Sequence, residues 1–321
     1  MISVVIPSYN SEFYLERTLS QFAKQTLQDF EIILVDDASD HDPGLLVTEI
    51  AIRESLLLHY YRLSAHSGAS TARNVGALRA QGELLCFIDA DDIVSPDFLA
   101  AFQKEYERSR FDMCFCRYQV LDNRNGRDCL YTIQNDMTCR GNVRFRVSYL
   151  MDRTKICHCA TVYRRAFFDG NQLRYTEGCR CAEDTELICK ALFKAQHITC
   201  IDEVLYTYCR HIPSVSHSTP DDRFLDAYKA MRRAQKSIPY LWRPFFALTK
   251  KARIHGFILS QFLQSNIQVT YQYCSIGEMM IGLGLSAIMS PEPDTHRKVL
   301  TALFSRKICF GKSKYSSSKQ D

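Results

Sequence analysis

Three features of the sequence predict an α/β fold built on a mainly parallel sheet. Across the first 120 residues, short apolar runs alternate with amphipathic stretches, the pattern of repeated strand and helix units. The apolar runs "SVVIP", "EIILVD", "LLHYYR", "ELLCFI" and "DMCFCRY" have strand length and carry little charge. Polar, acid-rich clusters follow them: "PSYN" after the first, "DDAS" after the second, "DADD" after the fourth. In such sheets ligands gather outside the carboxyl ends of the strands, so the three clusters are expected on one rim.

The elements between the strands follow from spacing. Leu15, Leu19, Phe22 and Ala23 fall on one helical face, with Asn10 or Ser11 placed to cap its start. "STARNVGALRAQG" predicts a helix ended by Gly82. Beyond residue 122 the pattern loosens into a turn at "DNRNGRD", a helix over 142–151 and a strand at "HCATVYR". A helix opens at "EDTELICKALFKA", with Leu187, Ile188, Ala191, Leu192 and Ala195 on its apolar face. Its acidic start suits the helix dipole. Two short strands are expected at "HITCID" and "EVLYTYCRH", and residues 221–321 read as helical and basic, ending in a polar tail expected to be disordered. The division expected is a domain over 1–220, with halves at 1–120 and 121–220, and an extension over 221–321.

Composition narrows the function. The chain has 321 residues, 46% of them hydrophobic and 24% charged, within the globular range and enough for one large domain plus an extension. A net charge of +4 implies no nucleic-acid partner. "MISVVIPSYN" has no basic leader before a long apolar region, so it reads as a strand and not a signal peptide, and a cytoplasmic protein is expected. The 14 Cys are scattered through apolar segments, as reduced core thiols would be. "CHC" at 157–159 and "CRC" at 179–181 lack the two to four residues that usually separate paired zinc ligands. The apolar run "MMIGLGLSAIM" at 279–289 falls short of the roughly 18–20 residues a membrane span needs.

The acid-rich clusters point to a cation. Asp89, Asp91 and Asp92 follow directly on a buried strand, where crowded carboxylates repel unless something positive screens them. Asp89 and Asp91, two apart at a strand end, can both reach the rim, and such oxygen ligands suit Mg2+ or Mn2+ beside a diphosphate. Asp92 is placed either to support those ligands or to cap the helix near "SPDFL".

"VVIPSYN", "ILVDDASD", "GASTARNVGALRAQGELLCFIDADD", "SPDFL", "EDTELICKALF" and "VLYTYCRHIPSVS" resemble, in order and spacing, the motifs of glycosyltransferase family 2. The resemblance implies the nucleotide-sugar fold called GT-A, a divalent cation (Mn2+ or Mg2+) and an inverting transfer of sugar from a nucleotide-sugar donor, UDP-linked, to a saccharide or lipid-linked acceptor in surface polysaccharide synthesis. By matching positions it implies that Pro7, Ser8 and Tyr9 line the uracil and ribose pocket and that Asp37 accepts from the base. Arg73 would approach the nucleotide, Asp89 the ribose and donor sugar, and Asp91 would hold the metal. Asp184 would be the base that takes the acceptor hydroxyl proton, with Glu183 contacting the acceptor, and Arg210 or His211 would donate to the diphosphate. "AHSG" departs from the family, which more often has Asn before the Gly-rich turn.

Two other readings stand beside this one. A nucleotidyltransferase would carry a Gly-rich basic loop after the first strand, where this chain has "PSYN". A non-catalytic nucleotide-sugar-binding module would not need the intact Asp91 and Asp184. The basic segments "MRRAQK", "WRPFFALTKKARIHGF" and "SRKICFGKSK" mix cations with large apolar groups, as a surface resting on an anionic membrane would.

Overall fold

The computed structural model describes residues 1–123, 128–137, 141–210 and 223–251. The chain divides into two compact units, Met1–Lys250 and Lys251–Asp321, and beyond Lys251 the second lies outside the described residues. The apolar run at 279–289, the polar tail and the later basic segments fall there.

β1 (Ile2–Ser8) leads through α1 (Glu12–Ala23) to β2 (Phe30–Asp36), and α2 (Gly44–Arg53) carries the chain to β3 (Leu58–Arg62). α3 (Ala69–Arg79) returns it to β4 (Leu84–Phe87), beside β1. The short β5 (Ile93–Val94) and α4 (Phe98–Ser109) precede β6 (Met113–Asp122), β7 (Cys129–Thr132) and α5 (Asn142–Leu150). β8 (Thr161–Arg164), α6 (Arg165–Gly170), α7 (Glu183–Lys194) and β9 (Ile198–Arg210) follow, then α8 (Arg223–Ser237), a 3-10 turn at Tyr240–Trp242 and α9 (Arg243–Phe246).

Among the described residues the strands form one sheet in the order β3-β2-β1-β4-β8-β6-β9-β5, with β7 on β6. β1 to β4 are parallel, with Ser8 level with Asp36, so their carboxyl ends share one edge. β8 enters antiparallel between β4 and β6, and β6 and β9 run parallel. Every residue of β1 and β2 is buried, the continuous apolar run of a strand covered on both faces. Leu15, Leu19 and Phe22 of α1 pack on it as their spacing predicts.

Three local expectations are corrected. Ser11 sits at the start of α1 but its hydroxyl is hydrogen-bonded to Ser8 Oγ (2.7 Å) instead of capping the helix, and Asn10 instead pairs with Asp40. α3 ends at Arg79 with an extended residue, and Gly82 serves a different constraint. A Cβ there would lie 2.7 Å from Ser3 N, because the turn presses on β1 so that Gly82 N and Gln81 N can donate to the buried Glu31. "HITCID" and "EVLYTYCRH" are one 13-residue strand, β9, bulged opposite Cys116–Tyr118 where Asp202 and Glu203 interrupt the pattern. The break expected at residue 220 falls outside the described residues, and the first compact unit continues through α8 to Lys250.

The approach of α3 to the sheet depends on Gly76. A Cβ at that position would stand 2.3 Å from Val5 Cγ1 and 3.1 Å from Cγ2, inside the contact limit of a branched side chain that has no room to turn. Alanine favours a helix over glycine by about 1 kcal/mol, yet overpacking here costs about 1–3 kcal/mol. Gly76→Ala is therefore expected to lower the urea midpoint at unchanged slope, and a raised midpoint would contradict the close approach.

Candidate active site

A cleft of about 590 Å³ opens at the carboxyl ends of β1, β2 and β4, within the size range of small-ligand sites. It is lined by Pro7, Ser8, Tyr9, Asp37, Arg73, Asp89, Asp91 and Glu183, together with residues 66–70 and 178–180. Eight residues expected at the site from sequence therefore meet in one place. Asp184 is not in the lining, and Arg210 instead donates to Tyr131 Oη (3.0 Å) and lies 3.8 Å from Asp122. His211 lies outside the described residues.

Each wall has a local cause. Asp37 is buried and takes the backbone N–H groups of Ser67 and Gly68, both at 2.7 Å, while His66 Nδ1 stands 2.9 Å away. A carboxylate offers about four lone-pair sites, so room is left for one further donor. His66, at the family's Asn position, stacks on the half-exposed Tyr9 with ring centroids 4.1 Å apart. The neighbouring Asp36 serves the fold instead. Fully buried, it accepts from Arg62 (2.8 Å), Ser39 N (3.1 Å) and Ser39 Oγ (2.5 Å), and closes the end of β2.

The acids after β4 divide in the same way. Asp89 is held by Arg73 Nη2 at 2.6 Å, with His158 Nε2 3.7 Å from its other oxygen. Burial opposes its charge, but Arg73 and His158 outweigh that cost and hold its carboxyl at about 2. Asp91 looks into the cleft, and α1 fixes the backbone beneath it: Thr18 Oγ1 donates to Ala90 O (2.6 Å) and Arg17 to Asp91 O (2.5 Å). Asp92 is buried and caps no helix. It accepts from Cys209 N at 2.7 Å and from the Tyr206 hydroxyl, locking β9 to the strand end. Burial, with the charges of Asp89 and Asp91 beside it, pushes its carboxyl well above the usual range.

Glu183 and Asp184 open α7 behind Ala182, whose backbone is left-handed (φ 61°). Side chains one residue apart on a helix diverge by about 100°, and here they part. Glu183 turns to Arg73 Nη1 (3.5 Å) and lines the cleft. Burial and the Asp184 charge raise its carboxyl. Asp184 accepts from Thr185 N (2.5 Å), and its charge is felt by the phenols of Tyr118, Tyr149 and Tyr163.

Two groups of side chains carry donors suited to a cation. Asp91 and Asp89, facing a cleft wide enough for waters and phosphates, fit a hard cation, which is commonly held by one or two carboxylates plus substrate oxygens. Asp89, His158 and Cys159 also bring donors within 4.8 Å of one another. There the fit fails: Cys159 Sγ lies 3.2 Å from Nε2 and 3.6 Å from Nδ1, which places it over the ring face and off the in-plane lone pair. Arg73 already holds the other Asp89 oxygen.

Among the described residues Cys86, Cys114, Cys116, Cys159, Cys189 and Cys209 are buried thiols outside any disulfide, in keeping with the reduced core expected. Sequence spacing gave no sign of Arg17, Thr18, His158 or Tyr175, which act on segments distant in the chain. His66 had one signal, its place where the family prefers Asn.

The fold is that of the GT-A class, with the cleft at the carboxyl edge of its parallel strands. The sequence model of glycosyl transferase family 2 matches residues 3–169, and the chain belongs to that family. The uncharacterized glycosyltransferase EpsJ of Bacillus subtilis is 28% identical over 210 residues, 65% of this chain and 60% of EpsJ. TarS of Staphylococcus aureus, a poly(ribitol-phosphate) beta-N-acetylglucosaminyltransferase, is 29% identical over 242 residues, 72% of this chain and 39% of TarS. The chain thus spans less than two thirds of their lengths. A crystal structure of TarS 1–349 with UDP-GlcNAc superposes with TM-score 0.63 at 22% identity, covering 95% of this chain and 82% of that one. The mannosyltransferase PcManGT of Pyrobaculum calidifontis, solved with GDP-Man and Mn2+, gives 0.58 at 15% identity, covering 95% and 87%. These likenesses establish the fold.

The assignment of Asp92 is testable through its two buried donors. Asp92→Asn can still accept from Cys209 N and can donate to the Tyr206 oxygen while keeping the size of the side chain. Its unfolding free energy should stay within about 1 kcal/mol of wild type, whereas Asp92→Ala orphans two groups at about 1–3 kcal/mol each. Urea denaturation of the pair checks this, and equal losses would refute the role.

Proposed function

We propose that the protein is an inverting glycosyltransferase that moves a sugar from a UDP-linked donor to a saccharide or lipid-linked acceptor in surface polysaccharide synthesis. The observation that carries this is the meeting of Asp37, Tyr9, Arg73, Asp89, Asp91 and Glu183 in one cleft at the carboxyl edge of the parallel strands. Tyr9 and the last acceptor site of Asp37 receive the base, and Ser8 and Asp89 the ribose and sugar. Asp91 is the residue to hold Mn2+ or Mg2+, which supplies charge neutralisation for the departing diphosphate. Family membership and the sugar-nucleotide ligands of TarS and PcManGT support the donor class.

Glu183 is tied to Arg73 at 3.5 Å in the ion-pair network of the cleft, while burial and the Asp184 charge leave its carboxyl raised. Asp184, turned off the cleft floor, is the base we assign. It takes the acceptor hydroxyl proton as the oxygen bonds to the anomeric carbon, and the bond from that carbon to the phosphate oxygen breaks, releasing UDP. Arg73 keeps Asp89 and Glu183 in place during the step. The catalytic domain and its basic helical extension are proposed to work in the cytoplasm against an anionic membrane face. Arg232, Lys236 and Arg243 of the described part contribute to the basic surface.

A panel of nucleotide sugars screened by thermal shift, with and without Mn2+, identifies the donor, and UDP release then reports turnover. Asp91→Ala should lose metal-dependent UDP binding. Asp184→Asn should bind UDP almost as wild type but transfer about 100 to 10,000-fold more slowly, the usual worth of a general base. Glu183→Gln should be milder, and the reverse ranking would make Glu183 the base.

A further inference from the structure

The segment from Gly178 to Ala182 runs along the cleft and delivers the chain to the acidic pair. Gly178, Cys179 and Arg180 line the cleft wall, and both ends of the segment are left-handed, with φ of 71° at Gly178 and 61° at Ala182. Such a doubly turned segment needs anchors, and α8 supplies them. Asp226 Oδ2 accepts from Arg180 Nε at 2.9 Å and from Arg180 N at 3.4 Å, while Arg233 donates to Cys179 Sγ at 3.2 Å and to Glu186 at 2.7 Å. Arg180 stays 48% exposed, whereas Asp226 is 13% exposed.

Arg180 is a cation on the cleft wall, oriented by a carboxylate from another element, and the transfer described above makes no use of it. The other charges of that wall are chiefly negative: Asp37, Asp89, Asp91 and Glu183, with Arg73 bound to the last and to Asp89. The ion pair with Asp226 fixes where the guanidinium lies, and its half-exposed place on the cleft wall, three residues before the acidic pair, suits an anionic group better than a neutral sugar hydroxyl. A phosphate does, because the planar fork matches phosphate oxygens and a pre-set arginine loses little freedom on binding.

We propose that Arg180 binds a phosphate of the acceptor, so that the acceptor is a polyol phosphate or sugar phosphate chain, with Asp226 of α8 as its positioning residue. The assignment to the acceptor rests on the glycosyltransferase reading, since the segment leads directly into Glu183 and Asp184. The donor diphosphate offers the same chemistry, and the experiment separates the two.

The probe is an oligomer of three ribitol phosphates, with uncharged ribitol as control, titrated into the full chain saturated with UDP and Mn2+ and followed by protein-observed NMR. Wild type should bind the oligomer saturably and ribitol not at all. Arg180→Gln should weaken it by about tenfold or more, Arg180→Lys should restore part of the loss, and Asp226→Ala should fall between, with UDP affinity unchanged in all three. No saturable binding to wild type, or equal affinity for wild type and Arg180→Gln, overturns the proposal. A matched fall in UDP affinity overturns it too, by giving Arg180 to the donor. If Arg180→Gln fails to fold, the lysine and Asp226→Ala variants carry the same comparison. Wild type that binds the oligomer without UDP but does not bind UDP at all would sink the nucleotide-sugar reading and leave the phosphate contact standing.

Discussion

A single buried guanidinium sets the geometry of the cleft. Arg73 is 5% exposed, and it joins Asp89 at the end of β4 to Glu183 at the start of α7, 110 residues further along the chain. Removing such a charge from water costs several kcal/mol unless it is paired, and two carboxylates with the Tyr175 ring, 5.2 Å from its carbon, supply the pairing. The dependence runs both ways: without the arginine, two acids would face one another in a low-dielectric cleft. Arg73 reaches this point because Gly76, three residues on and so on the same helical side, lets α3 press against Val5. Asn74 completes the support by holding both the N–H and the C=O of Tyr175 at 2.9 Å.

The sequence has two adjacent acid pairs at strand ends, Asp36–Asp37 and Asp91–Asp92, and each pair divides its roles. One member is turned away from the cleft onto protein donors, Asp36 onto Arg62 and Ser39, Asp92 onto Cys209 N and Tyr206. The other faces the cleft. The split follows from geometry, since adjacent side chains at a strand end point apart. The structural acid closes the strand end, and its neighbour inherits a fixed backbone. Asp91 gains more still, as Thr18 and Arg17 reach from α1 to the carbonyls of residues 90 and 91.

Much of this was legible in the residues. β1 to β4, α1, α3 and α7 follow from apolar period alone, because the strands at the centre of the sheet are buried throughout and the pattern is uninterrupted. β9 read as two strands because Asp202 and Glu203 mimic a turn, whereas the bulge absorbs them and Arg117 pairs with Asp202. β7 left no strand signal, being exposed along its length. The cleft acids were found by motif and position. Their partners were not, since His66 on Asp37 and His158 near Asp89 exist only after the sheet has brought distant segments together. Gly82 misled for a related reason: a glycine after a helix suggests a cap, but its use was the close approach to Ser3.

The acidic pair depends on more than the sheet. Glu186, one turn into α7, is 1% exposed, and its charge is balanced by Lys190 at 2.6 Å on its own helix and by Arg233 at 2.7 Å from α8. Lys190 alone is a flexible point charge, while Arg233 adds a planar contact to both oxygens of the carboxylate. The same α8 holds Arg180 through Asp226, so both sides of Glu183 and Asp184 in sequence are fastened to it. α8 lies after the last of the motifs and reads as the start of a separate basic extension, yet its charges fix the segment on which proton transfer is proposed to occur. A basic helix is usually a solvated face. Here two of its charged residues are turned inward, onto the carboxylate and guanidinium that hold the end of α7 against the cleft.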